Sequence, residues 1–239
     1  MLTLPNDAPS WMTKPTDRFI LRWIKVHLSA PVSRKVAVVP WVRPWVVTAT
    51  AAGLGVSAGV SYGAGAPVVA AGLGAVSQVL DGVDGQVSRL TGRESSAGAL
   101  LDSVLDRYAD GAMVLGSVVY LQRSHPRWPR GLLWLLGGLA LMGSNAVSYS
   151  AARAESLGFD SFPPTRASKG TRSAVNIVAA AVTPVWSGSP LLSLLYLAIH
   201  PNATVAARLL RVARTQTSSA APSGVVPAAP PKTPPAALR

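Results

Sequence analysis

Ten acidic residues occur in this 239-residue chain, and six of them, Asp81, Asp84, Glu94, Asp102, Asp106 and Asp110, fall within positions 81–110. Asp81 and Asp84 are three positions apart and Asp102 and Asp106 four, so on two helices each pair shares a face. The cluster follows 36 uncharged residues, 45–80, and precedes the apolar run 111–121. A carboxylate in such surroundings costs about 2.5–3.5 kcal/mol to insert, which makes a functional site the default reading. If the two helices are antiparallel neighbours, as their short connection implies, four carboxylates converge at one depth and require cations. Oxygen-only donors select a hard ion, Mg²⁺ or Mn²⁺, and Mg²⁺ is usually shared between a few carboxylates and substrate phosphates. Gly85, Ser88 and Gly98 are small and leave room for a ligand beside the helix backbones. The alternative reading of the same acids is a buried ion-pair network with Arg89 and Arg107.

The elements that must hold these acids are membrane helices. Hydrophobic residues make up 49% of the chain and charged residues 13%, and long uncharged runs point to an all-α, polytopic membrane protein. Cysteine is absent, which excludes disulfides and thiolate metal sites. The net charge of +12 does not indicate nucleic acid, because no basic face is interleaved with aromatics. No signal peptide is expected, since Lys14, Arg18, Arg22 and Lys25 interrupt the N-terminal stretch before an apolar core can form.

Residues 1–13 carry no assignable element. The stretch 16–29 sets Phe19, Ile20, Trp23, Ile24 and Leu28 on one stripe opposite Arg18, Arg22 and Lys25, which predicts an interfacial amphipathic helix capped by Thr16 or Asp17. Six spans follow within 45–210. The uncharged run breaks at Gly63, Gly65 and Pro67 into helices at 45–62 and 66–90, and further helices are expected at 96–121, 131–154, 172–186 and 190–210, the last containing Pro201. The membrane domain thus covers 14–212, and 213–239 reads as a disordered Pro/Ala-rich tail. Six spans put both termini on one side, where 18 Lys and Arg residues fall against three, Arg123, Arg127 and Arg130, on the other. That imbalance places the termini and the acidic cluster at the cytoplasmic face of the cell membrane.

The full spacing is more specific than paired acids. Asp81-x-x-Asp84-Gly85-x-x-Ser88-Arg89, eight residues, then Gly98-x-x-x-Asp102-x-x-x-Asp106 resembles the signature of the CDP-alcohol phosphotransferase family, DxxDGxxAR followed by GxxxDxxxD. Ser88 stands where the family has Ala and keeps the position small. The resemblance implies that Asp81, Asp84 and Asp102 hold two divalent metals, Mg²⁺ or Mn²⁺, on the diphosphate of a CDP-alcohol. It implies further that Asp106 assists the metals and acts as general base on the acceptor hydroxyl, and that CMP leaves. Gly85, Ser88, Arg89 and Gly98 would line the donor site. Of the family's Pro-Asn-x-x-Thr segment, Pro44 and Thr48 match and Trp45 replaces Asn, so Thr48 is a further donor contact. A homodimer is also implied by the resemblance. Asp110 lies one turn beyond Asp106 and reads either as a catalytic group or as a structural partner for an arginine.

The acceptor is read from cations at the same membrane face. Arg153, Arg166, Lys169 and Arg172 suit an acceptor that carries a phosphate, although cytoplasmic loops are basic in any case. The segment SYxxARAE ending at Glu155 is similar to that of phosphatidylinositol-phosphate synthases, with Ala151 in place of their lysine. Lys14-Pro15-Thr16-Asp17 and the stretch 101–110 resemble the membrane domain of di-inositol-phosphate phosphate synthases, which use CDP-inositol. Both resemblances imply an inositol-phosphate-like acceptor; CDP-diacylglycerol is the favoured donor. A cation transporter would also use intramembrane aspartates, but it gives no reason for Gly85, Gly98 and Arg89 at their intervals, and no inverted repeat is evident. A scaffold without catalysis gives no reason for the carboxylates.

Overall fold

The computed structural model describes residues 9–13, 19–159, 162–163 and 165–219. Among these residues all regular structure is helical. Helix α1, Phe19–Ile24, passes through a π-helical turn, Lys25–Ser29, into α2, Ala30–Ala37. Where one helix was expected at 16–29, helical structure runs from Phe19 to Ala37, while Thr16 and Asp17 lie outside the described residues. Pro31, which cannot donate to the carbonyl one turn back, sits directly after the widened turn that absorbs the break.

This arm is fastened to α4, Pro67–Leu90, by polar side chains rather than by an apolar stripe alone. Ser29 Oγ donates to the Val79 carbonyl at 2.8 Å, and Ser33 Oγ to Gln86 Oε1 at 2.7 Å. Gln86, fully buried, donates in turn to the carbonyls of Met12 (2.8 Å) and Lys25 (3.0 Å). A side chain at Gly82 would run into Ser29, so glycine is what lets the arm lie this close.

The remaining helices are α3, Pro44–Gly63; α5, Ser96–Ser124; α6, Arg130–Ser156; α7, Lys169–Val182; and α8, Ser189–Ser219. Helices α3 and α5 meet along small residues. A Cβ on Gly55 would lie 2.6 Å from Ala109 Cβ, and one on Gly59 2.7 Å from Ala112 Cβ. Gly55, Gly59 and Gly63 thus form a small-xxx-small stripe that brings the two backbones together, the packing that replaces hydrophobic drive between membrane helices. On the other side Val114, Val118 and Leu121 of α5 pack with Leu133 and Ala140 of α6 and Leu194 and Leu197 of α8.

Helix α8 continues through Pro201 and past the expected end of the domain at 212. Beside the proline, Asn202 Nδ2 donates to the carbonyls of Ala198 (2.8 Å) and, on α6, Leu139 (2.9 Å), which ties α8 to α6 at this level. Residues 213–219 are consequently helical rather than part of a structureless tail, and 220–239 lie outside the described residues.

Among the described residues, three helices are long and apolar enough to cross a membrane: Pro44–Gly63, Arg130–Ser156 and Ser189–Arg214. The six expected spans are not all of this kind. Helices α4 and α5, with 24 and 29 residues, have the length but carry the acids and arginines of the site. Helix α7, 14 residues, reaches only about 21 Å at 1.5 Å per residue.

Candidate active site

Helices α4 and α5 are joined by a five-residue turn in which Gly92 takes φ +62° and Ser95 caps α5 by accepting from Gly98 N at 3.1 Å. This hairpin brings the two acid pairs face to face. One carboxylate oxygen each from Asp81, Asp102 and Asp106 lies within 4.8 Å of the others. Three carboxylates at this distance, offering only hard oxygen donors, fit a divalent ion such as Mg²⁺ or Mn²⁺.

Asp84 faces the neighbouring space. It is buried, and Thr48 Oγ of α3 donates to its Oδ2 at 2.6 Å. Thr48 therefore acts on the site through Asp84, fixing the direction of that carboxylate. Asp84 and Asp102 line a cleft of about 210 Å³ whose walls include Thr48, Gly85, Ser88, Arg89 and Gly98. All the residues expected to bind the donor are thus in one cleft. Arg89 is held by its Nε donating to the Trp11 carbonyl at 2.9 Å, and its guanidinium lies over Gly85, where an added Cβ would be 3.5 Å from Nη1.

Helix α7 supplies the positive side. Lys169 Nζ stands 2.5 Å from Asp81 Oδ1 and 2.5 Å from Asp106 Oδ2. One turn on, Arg172 Nη2 is 3.6 Å from Asp110 Oδ2, and Ser173 Oγ donates to Asp110 Oδ1 at 3.2 Å. Asp110 is therefore an arginine's partner here, and Arg172 is buried, with Nη1 donating to the Ala167 carbonyl at 2.6 Å. Arg153 and Arg166 are exposed; Arg153 Nη1 reaches Ser156 Oγ at 3.4 Å.

Sequence reasoning missed Ser173 and Asn176, which with Lys169 and Arg172 make a polar stripe at i, i+4, i+7 and i+3 along α7. Asn176, a lone amide in an uncharged run, was the available signal. Its Oδ1, with Arg172 Nε and Ser144 Oγ, is buried without a hydrogen-bond partner among the described residues. Arg208 was also missed: from α8 its Nη1 donates to the Val147 carbonyl (2.6 Å) and to Ser150 Oγ (2.8 Å), on the turn of α6 before Arg153.

Residues 41–200 match the model of the family described as CDP-alcohol phosphatidyltransferase. The chain belongs to this family. Among CDP-alcohol phosphatidyltransferases, it is 34% identical over 122 residues to archaetidylinositol phosphate synthase of Pyrococcus horikoshii, across 51% of this chain and 60% of that protein. Phosphatidylinositol phosphate synthase of Cutibacterium acnes is 33% identical over 144 residues, across 56% of this chain and 67% of that protein. The matched stretch thus leaves 40% and 33% of those relatives' lengths uncovered. The fold is shared with the crystal structure of Mycobacterium tuberculosis phosphatidylinositol phosphate synthase with CDP-DAG bound, at a TM-score of 0.63 and 24% identity, covering 84% of this chain and 98% of that one. The acid hairpin of α4 and α5 lies inside the span that defines the phosphatidyltransferase family, as do the α3 residue Thr48 and the α7 cations.

Proposed function

We propose that this chain is a membrane-embedded, metal-dependent phosphotransferase that moves a substituted phosphate from CDP-diacylglycerol to a hydroxyl of inositol phosphate and releases CMP. The observation that carries the reading is the meeting of three carboxylates, Asp81, Asp102 and Asp106, with Asp102 lining the cleft and the ammonium of Lys169 against Asp81 and Asp106. The names of the Pyrococcus and Cutibacterium relatives support the inositol-phosphate acceptor. In this reading α3 to α8 all cross or enter the bilayer, with the acids and both termini at the cytoplasmic face, following the excess of Lys and Arg there.

Asp81, Asp84, Asp102 and Asp106 would hold two Mg²⁺ or Mn²⁺ ions, which would supply charge neutralisation at the diphosphate. The chain's own groups do the rest. Thr48 keeps Asp84 aimed into the cleft, and Arg89 offers donors to a donor phosphate. The acceptor hydroxyl attacks the phosphorus remote from cytidine, its proton passes to the Asp106 carboxylate, and the bond to the CMP oxygen breaks. The acceptor's own phosphate binds to the cations presented by Lys169, Arg172, Arg153 and Arg166. As it does so it draws the Lys169 ammonium off Asp106 and leaves that carboxylate able to take the proton.

The test is CMP release by detergent-purified protein with Mg²⁺ or Mn²⁺, comparing CDP-diacylglycerol and CDP-inositol as donors, each with inositol phosphate or glycerol phosphate. Release with CDP-diacylglycerol and inositol phosphate, lowered on the order of 10²-fold or more in Asp106→Asn, is expected. Release from CDP-inositol alone would transfer the reading to the di-inositol-phosphate type, and absence of CMP under every pairing would refute it.

A further inference from the structure

The buried cation of α7 is held unevenly. Arg172 is 5% exposed; its Nη1 donates to the Ala167 carbonyl at 2.6 Å, and its Nη2 stands 3.6 Å from Asp110 Oδ2. Its Nε is buried with no hydrogen-bond partner among the described residues. Asn176 Oδ1, one turn along the same face of α7, and Ser144 Oγ of α6 are buried in the same condition, on side chains of residues 5% and 7% exposed. One N–H donor and two acceptor oxygens make a complementary set, and buried polar groups are rarely left without partners.

All three residues line a single cavity of about 10 Å³, whose wall also includes Asp110 of α5, Asn145 of α6 and Leu197 of α8. That is the room one water molecule needs. The groups around the cavity select among small occupants. A guanidinium N–H repels a metal ion, and the Asn176 oxygen opposes an anion such as chloride, whereas water accepts from the one and donates to the other. We infer that one internal water molecule occupies this cavity, accepting from Arg172 Nε and donating to Asn176 Oδ1 and Ser144 Oγ. Three hydrogen bonds are the usual complement of a buried water.

This water ties α6 to α7 and fixes the Nε edge of the guanidinium, while the Ala167 carbonyl fixes Nη1. Nη2 is then the one end left to exchange Asp110 for another anion. Asp110 and Asn176 also line a second cavity of about 40 Å³, whose walls include Asp81, Asp106 and Lys169, so the anchored arginine borders the acid cluster. Asn176 and Ser144 are thus positioning residues for Arg172. Their part in the reaction rests on the acceptor reading above, in which Nη2 receives the acceptor's phosphate; the water itself does not.

Two measurements on full-length, detergent-purified protein keep these apart, with Mn²⁺ binding as the check that each variant is folded at the acid cluster. In protein carrying isotopically labelled arginine, the Arg172 Nε–H signal, assigned by its loss in Arg172→Lys, is expected to show magnetic cross-relaxation to a long-lived water. Asn176→Leu, which fills the cavity with carbon, should abolish it. Absence of that cross-peak in wild type, or an anomalous bromide peak in the cavity of bromide-soaked crystals, overturns the water site. In the CMP-release assay, Asn176→Leu should raise the KM for inositol phosphate about tenfold, the size of a hydrogen bond to a charged group, and leave the KM for CDP-diacylglycerol unchanged. Ser144→Ala should act in the same direction, and Asn176→Gln, long enough to reach Nε directly, should restore most of the loss. An equal rise in both KM values, or a fall in kcat alone, overturns the positioning role. Wild type without turnover refutes the acceptor reading instead, and the cross-peak still decides the water.

Discussion

Lys169 Nζ and Asp106 Oδ2 are 2.5 Å apart, and the same ammonium is equally close to Asp81 Oδ1. A single side chain from α7 therefore joins the last acid of the α5 pair to the first acid of the α4 pair, at the place where a divalent ion would neutralise both. Lysine and metal are competitors for the same oxygens.

Replacing Lys169 by Met should accordingly raise the affinity for Mn²⁺ several-fold, measured by the free Mn²⁺ signal in electron paramagnetic resonance. It should also lower the thermal midpoint in EDTA, because the acids lose their internal counter-charge, and Mn²⁺ should restore that midpoint. Unchanged Mn²⁺ affinity would show that the lysine and the ion do not share ligands.

Thr48→Val keeps the shape of the side chain and removes the donor to Asp84. Partners that orient metal ligands are worth about 10–100-fold in affinity or activity, so CMP release should fall by a factor in that range while the helix content is unaltered. Circular dichroism and the turnover assay read the two quantities on the same sample.

Gly59→Val places carbon where α5 backbone and Ala112 already stand. Overpacking costs about 1–3 kcal/mol where neighbours yield, and here the nearest atoms are backbone. A drop in thermal stability should be joined by weaker Mn²⁺ binding, since α3 and α5 carry Thr48, Asp102 and Asp106. Gly53, with nothing within 4 Å of an added Cβ, is the control that should tolerate Ala.

Gln86→Leu leaves the Met12 carbonyl without its amide donor, while the Lys25 carbonyl keeps the Ala30 N–H. Buried groups left unpaired cost about 1–3 kcal/mol. Limited proteolysis should then cut the N-terminal arm faster in the variant, with the α4–α5 hairpin still intact by its Mn²⁺ binding.

The acid hairpin was legible because its chemistry is written in local spacing: Asp81, Asp84, Asp102 and Asp106 share faces by helical period, and a short turn leaves one way to pair them. Helix positions were legible for the same reason, in uncharged runs bounded by Gly65, Pro67 and the arginines near 123–130. Pro201 was a poor guide to where α8 ends, because the helix runs on through it to Ser219 and is tied to α6 beside it by Asn202. Nor could spacing reveal that Lys169 reaches the acids, since that contact joins positions 88 residues apart. The extension of the arm to Ala37 depends on Gln86 and Ser33, polar residues whose partners lie on different helices. Local pattern finds faces; it does not find what one face meets across the bundle.

The glycine stripe of α3 has a consequence for how substrates enter. Where Gly59 and Gly116 bring two backbones into contact, α3 and α5 cannot slide or part without losing the packing that holds them. The walls bearing Thr48, Asp102 and Asp106 form a fixed frame, and under the proposed reading a bulky acceptor would have to enter by movement elsewhere. Helix α7 is held at its start by charges, Lys169 to Asp81 and Asp106 and Arg172 to Asp110, which an arriving phosphate can exchange one for one. Under the proposed reading, the helix that yields to the acceptor and the helix that binds it would be the same one.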